Sequence, residues 1–164
     1  MGNKTADWFM VDVKQDNLSE AMGFSRAAFG DDAVAFFDKF NRSGLQNAFE
    51  RGTGRATLGC SGSELALMIN DRLGHVRQPS EFKDKLNYEA VVSPIEYWIG
   101  YALGYLQGRS ELTFAEIFMW FPLDRWPSMY ILHEVGDRTL WDKTLGQYLG
   151  NDFMLGADTS GTNN

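Results

Sequence analysis

The sequence predicts an all-α fold, a single compact multi-helix domain over residues 1–149 followed by a flexible tail over 150–164. Three observations predict it. Helix-start signals recur along the chain: Ser61-Gly62-Ser63-Glu64, Ser93-Pro94-Ile95-Glu96 and Thr113-Phe114-Ala115-Glu116 each place a hydroxyl three residues ahead of a glutamate. In such a capping box the hydroxyl accepts the backbone N–H of the glutamate, and the carboxylate reaches back to the N–H of the cap. Apolar residues then follow at spacings of three and four, which lines one face of a helix. No stretch alternates apolar and polar residues as a half-buried strand would.

The elements follow in order. Asn17-Leu18-Ser19-Glu20 is a weaker cap with asparagine, and starts a helix over 17–29. Ala33, Phe36, Phe37 and Phe40 stripe a helix over 31–41, and Gly44 separates it from one over 43–51. The Ser61 box opens a helix over 62–73, striped by Leu65, Met68, Ile69 and Leu73. The Ser93 box opens one over 94–108, with proline at the first helical position, where no N–H is missed. The Thr113 box opens one over 113–120, striped by Phe114, Ile117, Phe118 and Phe121. Pro122 and Gly136 delimit helices over 122–132 and 138–149. The long connection from His75 to Val92 has a short amphipathic helix at its centre, Glu81 to Tyr88. From Gly150 the chain turns polar and rich in Gly and Thr, and a disordered tail is expected unless Phe153, Met154 and Leu155 dock. There is no internal repeat.

Composition narrows the function. The 164 residues are 44% hydrophobic and 14% aromatic, enough for a real core in one domain. The formal charge is −7, and the 15 Lys and Arg are scattered, whereas neutralising phosphates needs them clustered, so no direct nucleic-acid binding is expected. An acidic surface serves either solubility or a basic protein partner. A lone cysteine excludes a disulfide framework and suits a reducing, cytoplasmic setting. The start, MGNKTADWFMVDV, lacks the apolar run of a signal peptide, and Ala6 stands where a myristoylation signal takes Ser or Thr. The longest apolar stretch, Val91 to Leu106, is broken by Ser93, Pro94 and Glu96 and is too short for a bilayer, so no membrane association is expected.

The stretch Gly54-Arg55-Ala56-Thr57-Leu58-Gly59-Cys60-Ser61 matches a phosphate-binding loop except that Cys60 replaces its lysine. Such a loop needs a strand before it and a lysine for the terminal phosphates. Here Leu45 to Arg51 reads as helix, and Ser61 already serves as a cap. The glycines are better explained as positions of positive φ in a tight connection. A small nucleotide-binding protein or enzyme using the Gly-rich loop over 52–61 stands as an alternative. His75 and His133 lie at no metal-ligand spacing, and His133-Glu134 lacks the second histidine of a zinc protease helix. Cys60 is more simply a small packing residue than a nucleophile. The expectation is no catalytic residue, no metal and no cofactor.

Two aromatic segments carry more. In Glu96 to Gly108, Gly100, Gly104 and Gly108 repeat every four residues along one face, and Tyr97, Tyr101 and Tyr105 repeat along a neighbouring one. Glycine inside a helix costs about 1 kcal/mol against alanine, a cost that signals close approach of another backbone. This is either the central core helix, tightly crossed, or one whose tyrosines face a partner. In Phe118 to Tyr130, the rings of Trp120, Trp126 and Tyr130 exceed what one interior holds beside Phe118, Phe121 and Leu123, so aromatic surface is expected outside. Tyr97, Tyr101, Tyr105, Trp120, Trp126 and Tyr130 are therefore the candidate partner-binding residues. The same segment superficially suggests a helix-turn-helix regulator, although Asp124 and Trp126-Pro127 would make a poor DNA-reading helix.

The ordered set Asn-Ala-Phe-Glu-Arg-Gly from Asn47, Leu58 to Ala66, Ser93 to Gln107, Leu112 to Ile117, and Met129-Tyr130 resembles a broad group of small bacterial helical proteins. Their shared pattern reads GxSGxELA, then PEYWxGWALAYYQW, then SFKEI. The resemblance covers 47–148 and leaves 1–46 outside it. It departs from the pattern at Gly104 and Gly108, where bulkier residues are usual. Members often lie in toxin–antitoxin-like or mobile-element loci, which implies an inhibitory role. The expected function is a non-enzymatic protein-binding module, an antitoxin- or immunity-like inhibitor of another bacterial protein. The rival within the same class is a phage or mobile-element inhibitor of a defence nuclease, acting as an acidic mimic in a basic channel.

Overall fold

The computed structural model describes residues 7–54, 57, 59–74, 94–132 and 138–150. The expected helix over 81–88, both histidines, and the tail beyond Gly150 lie outside them. Within the described residues the protein is all-α, with no strand. Its helices are α1 (Trp8–Phe29), α2 (Ala33–Arg42), α3 (Leu45–Arg51), α4 (Gly62–Arg72), α5 (Pro94–Ser110), α6 (Phe114–Trp120), a 3-10 turn (Leu123–Arg125), α7 (Trp126–Leu132) and α8 (Arg138–Leu149).

The expected order holds, with one correction at the first helix, which starts at Trp8 and not near 17. Its cap is Asp7, whose carboxylate accepts the N–H of Met10 at 3.3 Å. Asn17, taken from the sequence as the cap, sits mid-helix and buried, and its side-chain amide donates to the Thr57 carbonyl at 3.0 Å. Asparagine, serine and glutamate at the right spacing make a cap only if the preceding backbone leaves the helix, and here it does not. The boxes at Ser61 and Thr113 form as read, while Ser93 lies outside the described residues. Ser61 Oγ accepts from Glu64 N while Glu64 Oε1 accepts from Ser61 N, and Thr113 and Glu116 do the same at α6.

Helix α1 is the axis of the molecule. It packs antiparallel to α5, because Leu18, Lys14 and Val11 meet Gly100, Gly104 and Gly108 in turn. A Cβ at Gly100 would lie 2.6 Å from the Leu18 carbonyl oxygen, and one at Gly104 2.6 Å from that of Lys14. On another side, α4 begins at Gly62, where a Cβ would overlap that of Glu20. The glycines of α5 thus exist for a helix crossing, the core-helix alternative of the two that the sequence left open.

Around this axis the core is aromatic. Phe36, Phe37 and Phe40 of α2, Phe49 of α3 and Phe114 of α6 form one cluster of edge-on and stacked rings, with the half-buried Phe118 against Phe37 at 5.1 Å. Trp98 of α5, Trp126 of α7 and Trp141 of α8 form a second, with centroids 5.4–6.1 Å apart. Edge-on and offset rings gain quadrupole attraction beyond the area they bury.

Lys14 is buried inside. Lys14 Nζ donates to the Glu50 carbonyl at 3.0 Å and to Gln107 Oε1 at 2.6 Å. Gln107 Nε2 in turn donates to the carbonyls of Glu50 and Leu112, and Glu50 Oε2 accepts from the N–H of Phe114 at the start of α6. This network ties α1, α3, α5 and α6 through groups that would otherwise be buried unsatisfied. Burial pushes the Lys14 ammonium down from 10.5 to about 8, against the attraction of Glu111 and Glu50.

The stability profile should register this. Between pH 8 and 10.5 the unfolded chain binds the Lys14 proton more tightly than the folded one, so this group makes stability rise with pH across that window. Tyr105 works the other way: burial and its bond to Asp142 hold its phenol well above the ordinary 10.0, so above pH 10 the unfolded chain loses a proton that the folded one keeps, and stability falls. Denaturation midpoints should crest near pH 10, with a gain on the order of 2 kcal/mol from Lys14. A Lys14→Met variant should lose the alkaline rise; a rise of the same size in that variant would disprove the assignment.

Candidate functional site

The loop before α4 is the place to ask about bound phosphate. It follows helix α3, which ends at Arg51 with Gly52 left-handed, and Gly54 and Gly59 also take positive φ. The strand–loop–helix frame of a phosphate loop is therefore missing. At the first turn of α4, the Glu64 carboxylate sits 2.9 Å from the Ser61 nitrogen, placing negative charge at the mouth where a phosphate would enter. The far side of that turn is closed by Gly62 packed on α1. Cys60 is half-buried and packs against the core.

The supposed helix-turn-helix fares similarly. Helix α6 is followed by the 3-10 turn and α7, which begins at the fully buried Trp126 and contains no Lys or Arg. After that buried residue its first turn offers a groove only Pro127 and Ser128, neither of which reads bases as a recognition helix does. No three His, Cys, Asp or Glu among the described residues are placed to hold a metal ion. No helix there is long and apolar enough to cross a membrane. A small cleft between α1, α2 and α4 is lined by Ser25, Asp31, Lys39 and Asn70, but Asp31 already holds Lys39 through both carboxylate oxygens at 2.9–3.0 Å.

The six aromatic candidates separate by depth. Tyr97 is 38% exposed. Tyr101, Trp120 and Tyr130 are half-buried; Tyr130 stands edge-on to Trp98 at 5.7 Å, and Trp120 leans on Phe121 at 4.7 Å. Tyr105 and Trp126 are fully buried, so the expectation that they meet a partner is corrected. Tyr105 donates its hydroxyl to Asp142 at 2.7 Å, fastening α8 to α5, and Arg109 closes the same carboxylate at 3.2 Å. Trp126 donates Nε1–H to the Phe121 carbonyl at 3.1 Å. Tyrosines every four residues share a face of their helix, but α8 covers the C-terminal end of that face and leaves Tyr97 at the open end.

Two further rings reach solvent, in the segment that the sequence left unassigned. Phe9 is 66% exposed and Trp8 41%, side by side in the first turn of α1. Trp8 is held in place, stacked on Tyr105 at 6.3 Å with the Arg109 guanidinium 5.3 Å from its ring. One signal could have found them: Asp7 directly before Trp-Phe-Met-Val reads as a cap, and Val11, Leu18, Ala21 and Met22 continue its stripe. Among the described residues, Met119 on α6 and Val34 on α2 are also exposed.

Compared with protein-family models, curated proteins and solved structures, the chain has no significant match in any of the three.

Proposed function

We propose that the protein is a non-enzymatic binding module that acts in the cytoplasm as an antitoxin- or immunity-like inhibitor of another bacterial protein. The observation that carries this reading is the pair Trp8 and Phe9, exposed while most of the other rings among the described residues are buried. Aromatic side chains rigidly held at a surface are what protein interfaces concentrate, because they bury large area at little entropic cost. Tyr97, at the open end of α5, is the surviving member of the stripe read from the sequence.

A second reading keeps the same class and names the target as a defence nuclease, and the formal charge of −7 favours it, since an acidic protein can occupy a channel built for phosphates. The test is purification of the tagged chain from its native host. The expected result is one stoichiometric partner whose own activity is suppressed in the complex and returns on dissociation, with Phe9→Ser lowering the yield of complex. Recovery of the chain with no stoichiometric partner would overturn the role.

A further inference from the structure

Helix α8 is held by one side. Among its described side chains Trp141 and Leu145 are buried, whereas Lys143 and Gln147 are exposed. Trp141 lies against Trp98 of α5 and Trp126 of α7, with centroids at 6.0 and 5.4 Å. Beside it, Asp142 accepts the Tyr105 hydroxyl at 2.7 Å and meets the Arg109 guanidinium at 3.2 Å. The contact is thus a ring cluster with a polar clasp at its edge.

The ring cluster is incompletely satisfied. Trp98 and Trp141 are only 4% and 2% exposed, and neither indole N–H has an acceptor among the described residues. Trp126, in the same cluster, does find one in the Phe121 carbonyl. A buried donor without an acceptor forfeits the hydrogen bond it would make to water, and native interiors hold few of them. Here two lie in one interface between helices, and they weaken the docking of α8, because undocking carries one donor into water and uncovers the other. The rest of the core has the opposite character. Phe36, Phe37, Phe40, Phe49 and Phe114 carry no polar side-chain atom to strand, and the Lys14 network joining α1, α3, α5 and α6 supplies partners to its own polar groups.

We propose that α8 is a detachable cover, which opens from α5 as a unit while α1 to α6 stay folded and so uncovers Trp98 and the Tyr105 hydroxyl. Proteins open locally in cooperative units of this size, and the units that open first are those with the weakest docking. The inference is independent of the binding role proposed above and stands or falls without it.

The test is native-state hydrogen exchange of the full chain, read by mass spectrometry on peptides from α1, α5 and α8. In the parent, amides of α8 should be protected about a hundredfold less than those of α1 and α5, and low urea should change their rates little, since their opening exposes little surface. Asp142→Ala, which leaves the Tyr105 hydroxyl and Arg109 without their carboxylate, should speed exchange in α8 about tenfold. Phe40→Leu, in the other ring cluster, should speed the slowest amides of α1 and α5 about tenfold and leave α8 at its parental rate, because Phe40 stays packed when α8 opens. Incorporating β-(3-benzothienyl)alanine at position 141, which keeps the shape of tryptophan with sulfur in place of N–H, should slow exchange in α8 about tenfold. Exchange of α8 in step with α1 and α5 in the parent would overturn the proposal, and that measurement needs no variant to fold. Equal acceleration of α8 by Phe40→Leu, no acceleration by Asp142→Ala, or no slowing by the sulfur isostere would overturn it as well.

Discussion

Replacing Gly104 by alanine should destabilise the protein by about 3 kcal/mol, the range of an overpacked core. Helix propensity alone gives the opposite sign, because alanine is better than glycine inside a helix by about 1 kcal/mol. Packing decides the outcome. The new Cβ would lie 2.6 Å from the Lys14 carbonyl oxygen and 2.8 Å from the Gln15 Cα, atoms of a helix backbone that cannot move aside as a side chain can. Helices α1 and α5 would have to separate along their whole contact, loosening Leu18, Met22, Leu103 and the Lys14–Gln107 bond together. Gly100→Ala should behave alike, since its Cβ would meet Leu18 and Ser19 at 2.6–2.7 Å. Gly108→Ala should be much milder, with Val11 Cα at 3.2 Å and otherwise side-chain atoms at 3.4 Å. Urea denaturation of the three variants checks the gradation; a Gly104→Ala protein as stable as the parent would refute the tight crossing.

Trp126→Ala should cost about 3–5 kcal/mol, as large aromatic deletions in a core do. Its indole fills the space between Trp98, Trp141 and Phe121, at centroid distances of 5.4–6.1 Å, and its N–H satisfies a backbone carbonyl. The loss would fall on the docking of α7 and α8 against α5, so near-ultraviolet circular dichroism should report it as well as the denaturation midpoint. Tyr97→Ala, by contrast, should stay within about 0.5 kcal/mol of the parent, as exposed substitutions do. These two aromatic residues were equal candidates in the sequence. A Trp126→Ala protein of parental stability would return that residue to the surface.

The difference between Tyr97 and Trp126 marks where local information ends. Capping boxes at Ser61 and Thr113, and the stripes through Leu65, Phe37 and Phe114, are interactions within a few residues, so the chain announces them directly. The cap at Asp7 was equally local, but Asn17 offered a competing signal, and spacing alone does not say which of two caps the backbone obeys. The glycine repeat of α5 announced a close crossing without naming the helix that crosses. Lys14 could not be read at all, because a lysine is buried only when distant carbonyls happen to meet it, here from Glu50 and the side chain of Gln107.

The amino-acid order by itself determined the all-α class, most helix boundaries and the acidic charge, since each depends on composition or on neighbours along the chain. Tertiary structure alone decided which rings face water: helix periodicity fixes the side of a helix on which a residue lies, while the element that covers that side is set by contacts across the fold. That is why Tyr105 and Trp126 went inside, and why Trp8 and Phe9 were left out.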